Sequence, residues 1–248
     1  MTMSEWLLET RGLSKRFKGV VAVDRVDFRL RKGQLHAIIG PNGAGKTTFF
    51  NLVTGKLSST EGHTYFQGSE ITDLPSCEIS KRGVARTFQI TSIFPDLSVK
   101  DNIWIGALSR RRFVNPMVES SALRDLQEKT DEIIAALNLQ DKQSMAAENL
   151  SHGDQRLLEI GIALSTDPQL LLLDEPTAGM SAEDSSRTAE TVKRLSENIT
   201  ILIIEHDMDI VMGIADCITV FDQGRIIAEG PPLAIQENRA VQEVYLGA

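Results

Sequence analysis

The stretch "GPNGAGKTT", Gly40 to Thr48, constrains the fold of this chain more than any other feature. It follows an apolar segment, Leu35 to Ile39, and runs into "FFNLVTG", so it lies where a strand is expected to pass into a helix. Its spacing matches G-x-x-x-x-G-K-[ST], in which glycines let backbone N–H groups converge on phosphate oxygens. The pattern therefore predicts a phosphate-binding loop at the start of a helix.

Two side chains of this loop carry further chemistry. Lys46 can reach the β- and γ-phosphates of a nucleotide, and the Thr47 hydroxyl can bind Mg²⁺. The alternative is a glycine-rich turn with an exposed lysine, which the complete pattern makes the weaker interpretation. The residues expected to contact the nucleotide are Gly40, Asn42, Gly43, Ala44, Gly45, Lys46, Thr47 and Thr48.

A second chemical signal is "LLLLDEPTAGM", in which four leucines lead into Asp174 and Glu175. Carboxylates at the carboxyl end of a parallel strand lie where open α/β sheets bind their ligands. Asp174 can orient the ligands of Mg²⁺, and Glu175 can polarise an attacking water as a general base. Two acids at a strand end are as often a solvated terminus, but the upstream loop favours catalysis.

Apolar runs place the remaining strands of an α/β fold. Strands are expected at 170–173, 200–204 and 217–221, with helices between them, which favours a mostly parallel sheet. The alternating segment Val26 to Leu30, turning at Lys32 and Gly33, predicts an antiparallel hairpin with the strand that precedes the loop. One helical face is predicted to contain Leu123, Leu126, Thr130, Ile133, Ile134 and Leu137.

Composition and length limit the organisation and the partners of the chain. Its 248 residues, 42% hydrophobic, are enough for one large domain with an inserted lobe. We expect a core at 1–89 and 161–248 and a helical lobe at about 90–160. A net charge of −8 gives no basic field, so nucleic acid is not an expected partner.

Two further compositional features concern the compartment. The two cysteines are far apart without metal-ligand spacing, and the first residues do not resemble a signal peptide. No apolar run reaches the roughly 18 residues that cross a bilayer. These features favour a cytoplasmic setting in which any membrane role depends on a partner protein.

The order of these motifs resembles that of the ATP-binding subunits of ABC transporters, and the resemblance covers essentially the whole chain. "LSHGD", Leu150 to Asp154, occupies the place of the family's "LSGGQ" signature. The resemblance implies that two such subunits face each other head to tail, with each ATP between one phosphate loop and the other signature. Ser151 and the Gly153 backbone would then meet a phosphate held by the other subunit's Lys46, whereas the alternative is an ordinary capped helix.

The resemblance assigns roles to three more residues. Gln89, in "ARTFQ", is implied to contact Mg²⁺ and the attacking water and to connect the core with the lobe. His206, in "LIIEHDM", is implied to lie near the γ-phosphate, and Phe17, in "SKRF", to stack on adenine. Taken singly, a glutamine after a strand is usually polar surface and an isolated histidine is more commonly structural. For Phe17, burial as a core aromatic is the weaker alternative.

Three positions depart from the family pattern: His152, Asp154 and Ser181. A carboxylate beside a triphosphate would repel it, so we expect Asp154 to point away from the nucleotide. With Ser151 as the helix N-cap, the Asp154 side chain would reach back to the Ser151 backbone N–H. The other motif residues are unaffected, and an active ATPase is expected.

Longer segments indicate which transporters are most similar. "GVARTFQITSIFPDLSVKDNI" and the ending "VYLGA" resemble ATP-binding subunits of branched-chain amino acid uptake systems, while "LSHG" with "EPTAGM" is also similar to urea-uptake subunits. The resemblance implies import of a small polar or amino-acid-like solute, with branched-chain amino acids favoured and urea or a related amide as the alternative. A soluble ABC ATPase of translation or DNA repair and a small-molecule kinase fit the motif set less well.

The resemblance also implies partners and a location. These are a second ATP-binding subunit, either another copy or a paralogue, the transmembrane permease subunits and, indirectly, a solute-binding protein. The chain would lie at the cytoplasmic face of the membrane, with a short permease helix in a groove beside Gln89. Phe94 and Leu97 are candidate apolar anchors of this groove, and burial in the lobe core is the equal alternative.

Overall fold

The computed structural model describes residues 5–87, 93–109 and 120–246. The strands are β1 (Trp6–Phe17), β2 (Val20–Arg31), β3 (Leu35–Ile39), β4 (Glu61–Phe66), β5 (Ser69–Glu70), β6 (Val84–Arg86), β7 (Leu170–Asp174), β8 (Thr200–Ile204), β9 (Cys217–Asp222) and β10 (Arg225–Gly230). The helices are α1 (Lys46–Val53), α2 (Ser76–Lys81), α3 (Val99–Leu108), α4 (Ser120–Ala136), α5 (His152–Leu164), α6 (Ala182–Ser196), α7 (Met208–Ile214), α8 (Pro232–Gln236) and α9 (Arg239–Leu246).

The larger sheet has six strands in the order β10-β9-β3-β8-β7-β6, all parallel except β10, which is antiparallel to β9. Every residue of β3, β7 and β8 is buried, as apolar strands covered on both faces require. The three strands expected from apolar runs are confirmed. The structure has the predicted α/β class, a mostly parallel sheet beside an antiparallel one.

The smaller sheet is antiparallel, in the order β2-β1-β4-β5. The expected hairpin of β2 with β3 is wrong, because β2 pairs with β1 while β3 pairs with β8 and β9. The alternating burial of β2 suits a sheet with one solvated face, whereas β3 is apolar throughout and needs cover on both faces. The turn at Lys32 and Gly33 therefore carries the chain from one sheet to the other.

Helix α1, which follows the phosphate loop, is fixed to both sheets by aromatic packing. Phe49 and Phe50 are fully buried on its inner face. The Phe49 ring lies 5.3 Å from that of Phe28 in β2 and 5.4 Å from that of Phe221 in β9, measured between ring centroids. Such edge and tilted contacts add to the area buried, and they hold the loop rigidly between the sheets.

Helices α3, α4 and α5 pack on one another. Five of the six positions on the predicted helical face are buried, and Leu123 is the exception, with 42% of its surface exposed. Helix α5 continues through residue 160 and also contacts β6 and α6, so it connects this group of helices with the larger sheet. The expected boundaries between the core and the helical lobe, at about residues 89 and 160, stay a prediction. Among the helices that the structure describes, none is both long and apolar enough to cross a membrane.

Candidate nucleotide-binding site

The phosphate loop, Asp174, Glu175 and His206 converge at one edge of the larger sheet, whereas Phe17 lies in the smaller sheet and Ser151 and Gly153 lie at the start of α5. Strands β3, β8 and β7 are parallel neighbours, so their carboxyl ends meet at the same edge. The phosphate loop follows β3, Asp174 ends β7, and His206 comes two residues after β8. Ligands of open α/β sheets bind at this edge.

Two glycines fix the course of the phosphate loop. Gly40 has φ 147° and Gly45 has φ 100°, conformations that L-residues rarely adopt. A Cβ atom would lie 2.1 Å from the Phe221 carbonyl oxygen at Gly40 and 2.2 Å from the Ala22 carbonyl oxygen at Gly45. Gly45 also precedes α1, which no side chain of the described residues caps. The first N–H groups of α1 are therefore available to an anion.

Lys46 is buried beneath this loop. Its Nζ donates hydrogen bonds to the carbonyl oxygens of Gly40, at 2.6 Å, and Pro41, at 3.0 Å. Burial lowers the pKa of Lys46, while the nearby charges of Glu175 and Asp174 act in the opposite direction. The ammonium group is thus close to both carboxylates, and an anionic ligand would further favour its protonated form.

Asp174 forms a buried ion pair that sequence reasoning missed. Its Oδ2 accepts a hydrogen bond of 2.7 Å from Arg86 Nη2, and Arg86 Nη1 donates to Asn51 Oδ1 at 2.7 Å. The other carboxylate oxygen, Oδ1, is buried without a hydrogen-bond partner among the described residues. Leaving a buried polar atom unpaired costs about 1–3 kcal/mol, more for a charged group. The sequence signal that could have indicated this ion pair is an arginine at the end of the short strand β6.

Glu175 follows Asp174 in a constrained backbone position. Its φ is +48°, uncommon for a residue with a side chain, and its N–H donates to the Ile204 carbonyl oxygen at 2.9 Å. Positive φ at a non-glycine residue is frequent where function requires a particular side-chain direction. The half-buried carboxylate lies at the sheet edge, close enough to Lys46 to affect its pKa.

Glu205 is a second buried charged residue near this edge whose contacts the sequence did not reveal. It is fully buried at the end of β8, where its Oε1 accepts hydrogen bonds from the Thr177 N–H (3.0 Å) and hydroxyl (2.6 Å). Its Oε2 accepts from the His206 N–H at 3.1 Å. Glu205 therefore ties the loop after Glu175 to the loop that carries His206, whose side chain is 59% exposed.

Phe17 lies at the end of β1, and 42% of its surface is exposed. The core-aromatic alternative is therefore wrong. The Lys15 ammonium lies 5.2 Å from the ring centroid, a cation–π contact that leaves the ring partly open to solvent. An exposed aromatic ring at the end of this strand of the smaller sheet can stack on a flat base.

The "LSHGD" segment begins α5. Ser151 is the N-cap, since its Oγ accepts a hydrogen bond of 3.2 Å from the Asp154 N–H. Ser151 and His152 are exposed, while Gly153 is buried against α6, where a Cβ atom would lie 3.0 Å from Asp184 Oδ1. The interpretation of this segment as a capped helix start is thus confirmed. A capped helix start can still contact a phosphate, so the second interpretation stays a prediction.

Asp154 is held by ion pairs within the chain. Its carboxylate accepts a hydrogen bond from the Ser151 hydroxyl at 2.7 Å and pairs with Lys142 and Arg187. Burial acts to raise the pKa of Asp154, but the hydrogen bonds from Lys142 and Ser151 and the Arg187 charge lower it overall. The expected contact with the Ser151 backbone N–H is wrong, because the hydroxyl and the two cations occupy the carboxylate instead.

Gln89 lies outside the described residues, but a groove lies at Thr87, two positions earlier in the chain. A cavity of about 450 Å³ lies between α2, β6 and α5, close to Thr87. Its apolar walls include Ile79, Val84, Ala85, Ile162 and Ala163. Neither of the two candidate anchors lines this cavity: Phe94 is 50% exposed and Leu97 is half-buried. Core burial is therefore wrong for Phe94.

The phosphate loop, the two acids at the sheet edge and the flanking histidine define the core of an ATP-hydrolysing enzyme. The sequence profile described as ABC transporter matches residues 23–178, and that described as branched-chain amino acid ATP-binding cassette transporter matches 225–248. The chain belongs to the ABC transporter family, as an ATP-binding subunit whose activity is ATP hydrolysis.

Individual relatives cover nearly the entire chain. The high-affinity branched-chain amino acid transport ATP-binding protein BraF of Pseudomonas aeruginosa is 37% identical over 253 residues, covering 99% of both chains. The probable branched-chain amino acid transport ATP-binding protein LivG of Archaeoglobus fulgidus is 39% identical, covering 98% of this chain and 96% of its own. A solved ADP conformation of an ATP-binding cassette is 33% identical, covers 98% and 99% of the two chains, and has a TM-score of 0.84.

Proposed function

We propose that this chain hydrolyses ATP to power the import of branched-chain amino acids through partner membrane subunits. The main support for this substrate class is the similarity, over nearly the whole chain, to relatives named for branched-chain amino acid transport. The match of residues 225–248 to the corresponding family profile supports the same class. The solute itself would contact the permease and a solute-binding protein rather than this chain.

The nucleotide would be ATP with Mg²⁺. The unpaired, buried Oδ1 of Asp174 fits a site whose cation supplies the missing partner. Mg²⁺ in nucleotide sites typically takes one or two protein oxygens and the substrate phosphates, so Thr47, Asp174 and Gln89 suffice as protein ligands. Bound Mg²⁺ would neutralise charge on the β- and γ-phosphates. Arg86 orients the Asp174 carboxylate through the hydrogen bond from its Nη2.

The remaining residues have distinct roles in this proposal. Lys46 binds the β- and γ-phosphates, and Glu175 polarises the water that attacks the γ-phosphate. His206 contacts the γ-phosphate from the loop that Glu205 anchors, and Phe17 stacks on adenine. The strained backbone at Glu175 supports its role, because it aims the carboxylate at the sheet edge where Lys46 lies.

Each nucleotide would lie between two ATP-binding subunits. The exposed Ser151 and the helix start at Gly153 would meet the γ-phosphate held by the other subunit's Lys46. The second subunit is another copy of this chain or a paralogue. Because the carboxylate of Asp154 is neutralised by two cations, it leaves the positive end of α5 free to face the phosphate.

The groove at Thr87 would receive a short cytoplasmic helix of the permease. Its walls come from α2 and β6 on one side and α5 on the other, so an occupant would contact both the sheet and the helical group. Phe94 does not line the groove, but its exposed ring is available as a separate apolar contact for the permease. This contact would place the chain at the cytoplasmic face of the membrane.

Uptake by reconstituted complexes tests the proposal. The chain is purified with its co-purifying membrane subunits and solute-binding protein, and ATP-driven accumulation of leucine and urea is compared in proteoliposomes. We expect leucine uptake that Lys46→Ala abolishes. Uptake of urea alone would contradict the proposed substrate, and recovery of the chain with ribosomes or without membrane subunits would contradict the transport role.

A further inference from the structure

The Ser151 hydroxyl has a competing use inside the chain. Its oxygen accepts from the Asp154 N–H at 3.2 Å, and its single proton is donated to Asp154 Oδ2 at 2.7 Å. Phosphate oxygens at this position act as acceptors, and a serine has only one O–H to donate. Ser151 therefore cannot donate to a phosphate until it releases Asp154.

Two cations hold Asp154 without that bond. Lys142, in the 3₁₀ turn Gln140–Lys142, pairs with Oδ2, and Arg187 of α6 donates to Oδ1 at 2.9 Å. The Asp154 side chain is only 2% exposed, so it depends on these partners for compensation of its charge. Arg187 also reaches Asp184 at 3.2 Å, in the first turn of α6.

We propose that Arg187 is a positioning residue that holds the Asp154 carboxylate away from the nucleotide, so that the Ser151 hydroxyl can turn to the γ-phosphate. The inference rests on the proposed pairing of two ATP-binding subunits. Arg187 separates two carboxylates, those of Asp154 and Asp184, and joins the starts of α5 and α6. Without Arg187, the Asp154 carboxylate would hold the hydrogen bond from the Ser151 hydroxyl more strongly. Its uncompensated negative charge would also repel the phosphate.

ATP-dependent dimerisation of the full chain tests the proposal. In the Glu175→Gln background, which slows hydrolysis, sedimentation with Mg-ATP gives a dimerisation constant. Arg187→Ala should weaken ATP-dependent dimerisation at least tenfold. Arg187→Lys should retain most of the dimerisation affinity, because lysine keeps the positive charge. Adding Asp154→Asn to Arg187→Ala should restore dimerisation to within about threefold, because the harmful charge is then absent. Arg194→Ala, which removes another arginine of α6, serves as the control.

Two outcomes would overturn the role of Arg187. One is a dimerisation constant of Arg187→Ala equal to that of the Glu175→Gln chain alone. The other is weakened dimerisation that Asp154→Asn does not restore, which would mean that Arg187 acts only through packing. A Glu175→Gln chain that stays monomeric with ATP would instead contradict self-pairing. The same variants are then compared by the KM for ATP in the assembled transporter, where Arg187→Ala should raise KM tenfold and Asp154→Asn should restore it.

Discussion

Single residues at the sheet edge show how burial and charge prepare the site. Lys46 is buried under the loop, yet two carboxylates favour its charged form. Asp174 is compensated by Arg86 on one oxygen and unpaired on the other. The charges of both residues are therefore only partly compensated within the protein, and in our proposal a Mg-nucleotide supplies the missing charges.

Replacing Lys46 by alanine should weaken binding of Mg-ATP at least about tenfold, or 1.4 kcal/mol, because the phosphates lose a charged hydrogen-bond donor. Calorimetric titration of the purified chain measures this affinity. Lys32→Ala, which removes an exposed lysine from the turn before β3, should leave the affinity unchanged. Equal affinities for the Lys46 variant and the wild type would place the nucleotide elsewhere.

His36, the second residue of β3, should make stability depend on pH. Burial lowers its pKa from 6.5 to about 4 although Asp216 opposes this, and its Nε2 lies 2.7 Å from Thr219 Oγ1. As pH falls below 6.5 the unfolded chain binds a proton that the folded chain rejects until about pH 4. The contribution to stability is complete above pH 6.5 and decreases by about 3 kcal/mol towards pH 4.

Denaturant unfolding at several pH values measures this effect. Carboxylates also titrate in this range, so the wild type is compared with His36→Gln, in which the imidazole is absent. The variant should lose less stability between pH 6.5 and 4 than the wild type does. Parallel stability curves for the two proteins would show that His36 is not responsible.

At the scale of elements, local features were predictable and pairings between distant segments were not. The strand, loop and helix around Lys46 are contiguous, so sequence spacing alone predicted them. Arg86 and Asp174 are 88 positions apart and meet only because β6 pairs with β7. The wrong pairing expected for β2 has the same origin. Alternating apolar and polar residues indicate a strand with one solvated face, but they do not show which strand it pairs with.

Close packing of α5 should make Gly161 intolerant of a methyl group. A Cβ atom there would lie 2.6 Å from Leu137 Cδ1 and 3.2 Å from Ile103 Cδ1. Gly161→Ala should therefore lower the free energy of unfolding by about 1–3 kcal/mol. Gly213 in α7 has no atom within 4 Å of such a Cβ, so Gly213→Ala should stabilise by about 0.4–1 kcal/mol. Thermal melts compare the two, and equal effects would contradict tight packing at α5.

The whole molecule presents two surfaces that only partners can complete. The exposed start of α5 and the groove near Thr87 face different occupants in our proposal, a second ATP-binding subunit and a permease helix. The family resemblance directed attention to both regions, and the occupants that it implies for them stay predictions. It could not predict the ion pairs of Asp154, because Lys142 and Arg187 approach it from separate elements.

Phe94→Asp should reduce association with the permease while sparing nucleotide binding, because a charge would then face an apolar partner. Co-purification of the membrane subunits and calorimetry of the isolated chain measure the two properties. Leu233→Asp, at an apolar residue of α8 that is 74% exposed, is the matched control and should assemble normally. Equal assembly of the two variants would exclude Phe94 from the docking surface.

The most direct test of the central claim is the turnover of Glu175→Gln in the assembled transporter. The amide preserves shape but cannot act as the general base, so ATP hydrolysis should fall about 10²- to 10⁴-fold. Mg-ATP affinity, measured on the same preparation, should stay within a few-fold of the wild type. Near-normal turnover with unchanged affinity would contradict the assignment of Glu175 as the residue that activates the attacking water.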